Sequence, residues 1–193
     1  TRKAFGKAAG ACKDITAAHL QAVADLLEKQ TGRYVKLPYG LTATRVYNVI
    51  EIMGKRKETE KICLPIDTDR LPENLLAGEW KFSFKKFLYD GNTDKIPRKM
   101  YTKWFDYDKI KDSLAIRNRR KGDYFVLDAA GHHKKLEDYF VNEKIPASHR
   151  DEQLLLAGED EIFWIVGGRM AYGTGISDAT RWVLEITASN SSH

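Results

Sequence analysis

The first regular pattern along the chain is that of a helix. Apolar residues recur at the spacing of one helix face, at Leu20, Val23, Ala24 and Leu27. Thr16 before them is a good N-cap, and Gly32 stands where a glycine commonly ends a helix. The pattern therefore predicts a helix over residues 16–31.

After this helix the pattern changes to that of short strands. Residues 33–37 and 41–52 flank the turn tripeptide Pro38-Tyr39-Gly40. The second segment is rich in threonine, valine and isoleucine, as a half-buried strand should be. We therefore expect an antiparallel hairpin here.

A later strand combines aromatic and polar residues. Three aromatic residues alternate with three polar ones, Trp80, Phe82 and Phe84 with Lys81, Ser83 and Lys85. An aromatic strand beside lysines can stack nucleobases. Alternation alone also predicts a sheet with one face on the core, and we favour this simpler interpretation.

The second half of the chain predicts mainly strands. Residues 90–113 are polar and predict a loop with a domain boundary at its end. Beyond it, short apolar runs predict strands at 114–119, 124–127, 154–156, 161–166, 169–172 and 181–186. Residues 134–144 predict a short helix that Pro146 ends, and residues 189–192 predict a disordered tail.

These elements together predict an α+β fold. Helices and antiparallel strands are mixed, without the strand–helix alternation of a parallel sheet. We expect a small domain with the helix and hairpin over residues 1–112. An α+β domain with mainly antiparallel strands is expected over residues 113–193.

Composition narrows the class of protein. No run of about 18 apolar residues exists, so no membrane span is expected. The N-terminus leads into no apolar segment and lacks a methionine, which suggests a processed chain or a fragment without a secretory signal. Cys12 and Cys63 form no CxxC pair, so we expect no disulfide scaffold and a cytoplasmic location, with Cys63 buried in its strand.

Charge is distributed unevenly along the chain. The formal net charge is +5, but residues 151–193 hold seven acidic and two basic residues. Residues 1–150 therefore carry +10. A basic body favours a polyanionic partner, with nucleic acid first. The alternative is a solvated surface that happens to be basic.

Cations are most crowded between Arg117 and Arg150. Four of them surround the turn Gly122-Asp123, and His132-His133-Lys134-Lys135 is expected to open the short helix. A helix N-terminus attracts phosphate, so this stretch predicts a phosphate-binding surface. The candidate residues are Arg117, Arg119, Arg120, Lys121, Lys134, Lys135, Lys144 and Arg150. The alternative is a structural network in which Arg117 or Arg119 pairs with Asp123, Glu137 or Asp138.

Catalytic patterns are missing from the sequence. It contains no GxxxxGK[ST] phosphate loop, no GxSxG elbow and no HExxH motif. The adjacent His132 and His133 lack a third metal ligand. We therefore predict no catalytic, cofactor-binding or metal-binding residues in this chain.

Three segments of the basic stretch carry a more specific pattern. Residues 117–123 contain R-x-R-x-x-G-D, residues 134–140 contain K-K-L-x-D-x-F, and residues 144–150 contain K-x-P-x-x-x-R. This series resembles the C-terminal domain of bacterial tRNA(Ile)-lysidine synthetases. The helix from Thr16 and the segment 32–38 are similar to the middle domain of the same family.

The resemblance implies a function. The family uses ATP, with Mg²⁺, to attach lysine to the wobble cytidine of a tRNA(Ile) with a CAU anticodon. That chemistry belongs to an N-terminal PP-loop domain with an S-G-G-x-D-S motif, which this sequence lacks. The resemblance therefore implies the C-terminal two domains, which help bind the body and acceptor stem of the tRNA. Of the eight cations above, six stand at positions that match the family, and Arg120 and Lys121 are added on charge alone. It also implies a β-sandwich-like domain similar to a module of the phenylalanyl-tRNA synthetase β chain.

Other functions remain open at this point. The chain could be a structural or homodimerisation module whose cations form intramolecular salt bridges. It could also be a free-standing RNA-binding module without a ligase domain. A small-molecule enzyme of the α+β class would need convergent titratable groups, and the sequence offers no such trio.

Overall fold

The chain folds into two compact units. The computed structural model describes residues 14–54, 61–110 and 113–190. One unit spans Thr1–Thr59 and the other spans Glu60–His193. In the described residues of both units, all strand pairings between named strands are antiparallel.

The first unit begins with the predicted helix. Helix α1 spans Ala17–Asp25, and a 3-10 turn over Leu26–Glu28 continues it. Thr16 caps the helix, with its backbone N–H donating to Nδ1 of His19 at 3.2 Å. The helix is therefore confirmed at its start and ends earlier than residue 31.

Three antiparallel strands complete the first unit. They are β1 (Tyr34–Lys36), β2 (Thr42–Val46) and β3 (Val49–Met53), in that order across the sheet. The predicted strand over 41–52 is two strands, because the chain turns back at Tyr47 with a φ of 51°. Val23, Leu26 and Ala43 form the centre of a core between helix and sheet.

The second unit is built on two four-stranded sheets. The first sheet has the order β5-β6-β13-β7, with β5 Asn74–Ala77, β6 Trp80–Leu88, β7 Thr102–Asp106 and β13 Trp182–Asn190. The second sheet has the order β12-β11-β8-β4, with β4 Cys63–Pro65, β8 Ala115–Arg117, β11 Leu155–Ala157 and β12 Ile162–Ile165. A short helix, α2, follows β7 over Tyr107–Ile110.

The two sheets share one core, which gives a sandwich-like arrangement. Phe82 and Phe105 from the first sheet and Trp164 from the second are fully buried in it. The rings of Phe105 and Trp164 lie 6.2 Å apart between centroids. Trp80 and Phe84 pack against the same core, so the interpretation of the alternating strand as a core-facing one is confirmed. The predicted α+β class with mainly antiparallel strands is confirmed as well.

A two-stranded hairpin and two helices lie beside the sandwich. Strands β9 (Tyr124–Val126) and β10 (His133–Lys135) pair, and helix α3 (Leu136–Asn142) follows directly. A second, smaller core joins them to the sheet through Phe125, Phe140 and Leu155. Helix α4 (Ala147–Arg150) comes after α3.

The start of the short helix was predicted wrongly. His133, Lys134 and Lys135 belong to β10, and α3 begins only at Leu136. Its first turn carries Glu137 and Asp138, which suit the positive end of a helix. The expected phosphate site of lysines at a helix N-terminus is therefore absent from this part of the structure.

Three further expectations differ from the structure. The predicted loop over 90–113 contains β7 and α2, and the predicted strand over 169–172 makes only an isolated bridge between Trp164 and Met170. Ser189 and Asn190 continue β13 and are not a disordered tail. The rest of that predicted tail, residues 191–192, lies outside the described residues.

The two compact units also differ from the expected domains 1–112 and 113–193. Strands from both sides of residue 112 share each sheet, since Leu64 of β4 pairs with Ile116 of β8 and Phe84 of β6 pairs with Ile186 of β13. Because these pairs join residues that are far apart in the sequence, they hold the described residues from 61 onward in one unit. A polar stretch between elements does not reveal such pairing.

Candidate nucleic-acid interface

Arg117 is the most deeply buried of the predicted cations. Only 1% of its side chain is exposed, and its guanidinium forms two hydrogen bonds with Asp123, at 2.9 and 2.8 Å. It also donates to the carbonyl oxygen of Glu159 at 2.8 Å. For this residue the structure matches the alternative of a structural salt bridge, because a guanidinium so enclosed is not at the surface.

Arg119 lies at the surface between two acidic residues. Its Nε and Nη2 both donate to Asp151 at 2.8 Å, and its Nη1 is 3.6 Å from Glu137. About a third of its side chain is exposed. Arg119 therefore ties the turn after β8 to the end of α4.

Arg120 and Lys121 are exposed at the turn before β9. Gly122 adopts a φ of 98°, which favours glycine, and Asp123 accepts a hydrogen bond from the backbone N–H of Arg120 at 2.7 Å. Arg120 Nη2 donates to Sγ of Cys63 at 3.0 Å. Cys63 is exposed in β4, so the expectation of a buried cysteine was wrong.

Lys134 and Lys135 sit on opposite faces of the hairpin. Lys134 pairs with Phe125, whose face packs on the small core, and is half-buried. Lys135 pairs with Tyr124 on the outer face and is exposed. The ring of Tyr124 meets His133 edge-on at 4.8 Å on that same face. The sequence predicted a strand at Tyr124 but not its contact with His133, because residues 134–144 were assigned to a helix and not to a partner strand.

Lys144 and Arg150 lie beyond α3. Lys144 is exposed and has a φ of 55°, which turns the chain after the helix. Arg150 is half-buried, and its Nε donates to the carbonyl oxygen of Ile145 at 2.9 Å. Part of its guanidinium is thereby used to close the turn between α3 and α4.

The three cation-bearing segments meet around α3. The backbone N–H of Leu136 donates to the carbonyl oxygen of Asp123 at 2.9 Å, which joins the Gly122 turn to the start of the helix. The contact of Arg119 with Asp151 joins the same turn to α4. We use the name basic surface for the predicted cations of these three segments other than Arg117, namely Arg119, Arg120, Lys121, Lys134, Lys135, Lys144 and Arg150.

Two titratable groups near the hairpin have shifted pKa values. The hydrogen bond from His132 to Asp128, at 2.8 Å, lowers the pKa of the Asp128 carboxyl. Burial raises the pKa of the Tyr139 hydroxyl, with the charge of Glu143 adding to the effect. In the described part of the chain no three His, Cys, Asp or Glu side chains come together as metal ligands.

Among residues 14–54, 61–110 and 113–190, no helix has the length and apolar character needed to cross a membrane.

Comparison with known proteins identifies the relatives of this chain. Residues 114–186 match the family described as the TilS substrate C-terminal domain. A tRNA(Ile)-lysidine synthase from Caldanaerobacter subterraneus subsp. tengcongensis is 34% identical over 169 residues, which cover 87% of this chain and 36% of that protein. A tRNA(Ile)-lysidine synthase from Clostridium tetani is 27% identical over 193 residues, covering 96% and 40% respectively. This chain matches the C-terminal region of tRNA(Ile)-lysidine synthases.

A solved structure has a similar fold over most of this chain. The crystal structure of a TILS C-terminal domain superposes with a TM-score of 0.50 and 19% sequence identity. It covers 68% of this chain and 98% of the solved chain. The chain thus has the fold of that domain, and it spans only 36–40% of the length of the two relatives above.

Proposed function

We propose that this chain is the tRNA-binding part of a tRNA(Ile)-lysidine synthase and has no ligase activity by itself. Its match to the C-terminal region of these enzymes carries the proposal. In this proposal ATP, Mg²⁺ and lysine act at a PP-loop domain outside the 193 residues. The tRNA is tRNA(Ile) with a CAU anticodon.

The basic surface is the proposed contact with the tRNA. Three of its residues, Lys121, Lys135 and Lys144, are exposed lysines on turns and a strand that meet around α3. Exposed lysines reach phosphates and 2′-hydroxyls of an A-form stem, which proteins recognise mainly by shape. The partner is therefore the backbone of a tRNA stem.

Arg117 has a different role within this proposal. Its guanidinium is enclosed by Asp123 and the carbonyl oxygen of Glu159. It supports the shape of the turn that presents Arg120 and Lys121. Arg119 has a mixed role, because Asp151 already holds its Nε and Nη2.

Lysine incorporation tests whether the chain is catalytic. We expect no transfer of radiolabelled lysine to tRNA(Ile) when the 193 residues are incubated with ATP, Mg²⁺ and the tRNA. A full-length tRNA(Ile)-lysidine synthase under the same conditions is the positive control. Turnover by the isolated chain would contradict the claim that its catalytic part lies elsewhere.

A further inference from the structure

A second feature of the Glu60–His193 unit lies outside the basic surface. A cavity of 290 Å³ opens between the start of β6 and the segment that follows α4. Its walls include the rings of Trp80 and Tyr101 and the side chains of His149, Glu152 and Gln153. The volume is near the lower end of the roughly 300–1,000 Å³ found for small-ligand pockets, so the ligand must be small.

Two aromatic rings form one wall of this cavity. Trp80 and Tyr101 lie 5.3 Å apart between centroids with their planes tilted by 45°. Rings at this angle do not stack face to face on each other. Tyr101 remains 38% exposed, although large apolar side chains are usually covered. An exposed tyrosine beside a half-buried tryptophan in the wall of a cavity is suited to stacking against a flat ligand.

The backbone at Gly167 leaves room for the ring of Tyr101. Gly167 has a φ of 76°, and a Cβ at this position would lie 2.7 Å from Cε1 of Tyr101. Only glycine allows the ring to lie so close to the chain. The hydrogen bond from the backbone N–H of Ala188 to the carbonyl oxygen of Tyr101, at 2.8 Å, fixes the backbone from which the ring projects.

The polar groups of the cavity favour a ligand with N–H donors. Gln153 Nε2 donates to the carbonyl oxygens of Leu154 and Val166, at 3.1 and 2.9 Å, so its two amide hydrogens are used. Its remaining group is the acceptor Oε1. The carboxylate of Glu152 is an acceptor too, and it repels phosphate. The ring nitrogens of His149 can donate or accept. A flat ligand whose edge carries amino groups fits the two acceptors, Gln153 Oε1 and Glu152, better than a phosphate does.

The position of the cavity links it to RNA. His149, Glu152 and Gln153 flank Arg150 of the basic surface in the sequence. An RNA bound at Arg150 would therefore lie next to the wall of the cavity that His149 and Glu152 form. We propose that the Trp80–Tyr101 cavity holds one unstacked nucleobase, with an exocyclic amino group, from the RNA bound at the basic surface. This inference rests on the RNA-binding function proposed above.

The test compares two RNAs on the full 193-residue chain. One is a blunt RNA hairpin, and the other is the same hairpin with a four-adenosine single-stranded 3′ extension. Adenine is flat and has an amino group, so the extension should tighten binding in fluorescence anisotropy by about tenfold, as stacking of one base does. The measured quantity is the ratio of the two dissociation constants, because a change in the protein that affects both RNAs alike cancels in it.

Variants then assign the effect to the cavity. Tyr101→Ala should bring the ratio close to one while the affinity for the blunt hairpin stays the same, which also shows that the protein is folded. Tyr101→Phe should keep the ratio, because it keeps the ring. Tyr172→Ala removes another exposed tyrosine, which does not line the cavity, and should leave the ratio unchanged. Glu152→Ala, at an exposed position, should lower the ratio severalfold.

The outcomes separate this inference from the proposed function. Failure of both hairpins to bind would overturn RNA binding and the cavity proposal with it. Binding of both with equal affinity, or an advantage of the extension that survives Tyr101→Ala, would overturn the cavity proposal alone.

Discussion

The buried pair of Arg117 and Asp123 holds the turn between β8 and β9 in place. Both side chains are almost fully enclosed, at 1% and 0% exposure, and they bond in a two-pronged arrangement. Breaking such a pair leaves one charge without a partner in a region of low polarity, which is costly. The pair therefore matters for the fold of the basic surface more than for direct contact with RNA.

This pair gives a prediction for stability. Asp123→Asn should lower the free energy of unfolding by about 3 kcal/mol, because the guanidinium of Arg117 loses its counter-charge. Tryptophan fluorescence during urea unfolding measures it. All four tryptophans lie in the Glu60–His193 unit, at Trp80, Trp104, Trp164 and Trp182. The fluorescence therefore reports that unit.

An exposed acidic residue provides the control for this substitution. Glu137 lies 3.6 Å from Arg119, and its side chain is 61% exposed. Glu137→Gln should change the unfolding free energy by less than about 1 kcal/mol. Equal changes in the unfolding free energy would mean that the buried Arg117–Asp123 pair contributes no more to stability than the exposed Arg119–Glu137 pair.

Gly167 gives a second prediction at this scale. Gly167→Ala should destabilise the protein more than Gly173→Ala, although both glycines have positive φ values, 76° and 82°. The backbone cost, on the order of 1–3 kcal/mol, is common to both. Only the new Cβ at Gly167 meets a neighbour, the ring of Tyr101, whereas none lies within 4 Å at Gly173.

A double variant identifies the cause of that difference. In a Tyr101→Ala background the extra cost of Gly167→Ala should disappear, because the clashing ring is gone. Thermal unfolding of Gly167→Ala and Gly173→Ala, each with and without Tyr101→Ala, measures this difference. An undiminished extra cost would show that the contact with Tyr101 does not explain the need for glycine.

At the residue scale the sequence identified the cations but not their surroundings. Asp123 was among the partners considered for Arg117, and the Gly122-Asp123 turn was expected. Arg117 is enclosed in part by the carbonyl oxygen of Glu159, far along the chain, whereas Lys121 is exposed. Local charge patterns do not contain this information.

At the element scale the clearest difference concerns β10 and α3. Apolar residues from Leu136 onward have helical spacing, and the preceding lysines extend the pattern without interrupting it. Their strand conformation comes from pairing with β9 across the 128–132 turn. Strand β7 was missed for a similar reason, since its pairing with β13 joins Phe105 to Leu184. Where local propensity is ambiguous, pairing with a distant strand determines whether the segment forms a strand.

The strand position of Lys134 and Lys135 changes what their removal should do. Lys134→Ala with Lys135→Ala should weaken tRNA binding and reduce the slope of log K against log salt by about 0.7–0.9 for each lost phosphate contact. Because Lys135 is exposed and Lys134 is half-buried, Lys135→Ala alone should account for most of the change. Filter binding over a salt series measures both quantities.

A matched pair of lysines controls for the loss of charge. Lys95 and Lys99 are exposed in the segment before β7, away from the basic surface in the sequence. Lys95→Ala with Lys99→Ala removes the same charge and should leave the slope unchanged. If both double variants reduce the slope equally, the effect comes from net charge and not from the surface of the hairpin.

At the scale of the whole molecule, the fold class followed from the alternation of short strands and turns. The extent of the second unit did not, because β4 and β6 join β8 and β13 across the expected boundary. The charge distribution indicated the class of partner and not the fold. A body of +10 indicated nucleic acid, and the three motifs from Arg117 to Arg150 indicated the family.

The salt dependence of tRNA(Ile) binding by the 193-residue chain tests the central claim most directly. Filter binding between about 50 and 200 mM salt should show binding that weakens linearly on a log–log plot, since several lysines release counterions from phosphates. The basic surface predicts a slope of several units. No binding at the lowest salt, or binding that does not depend on salt, would contradict the account.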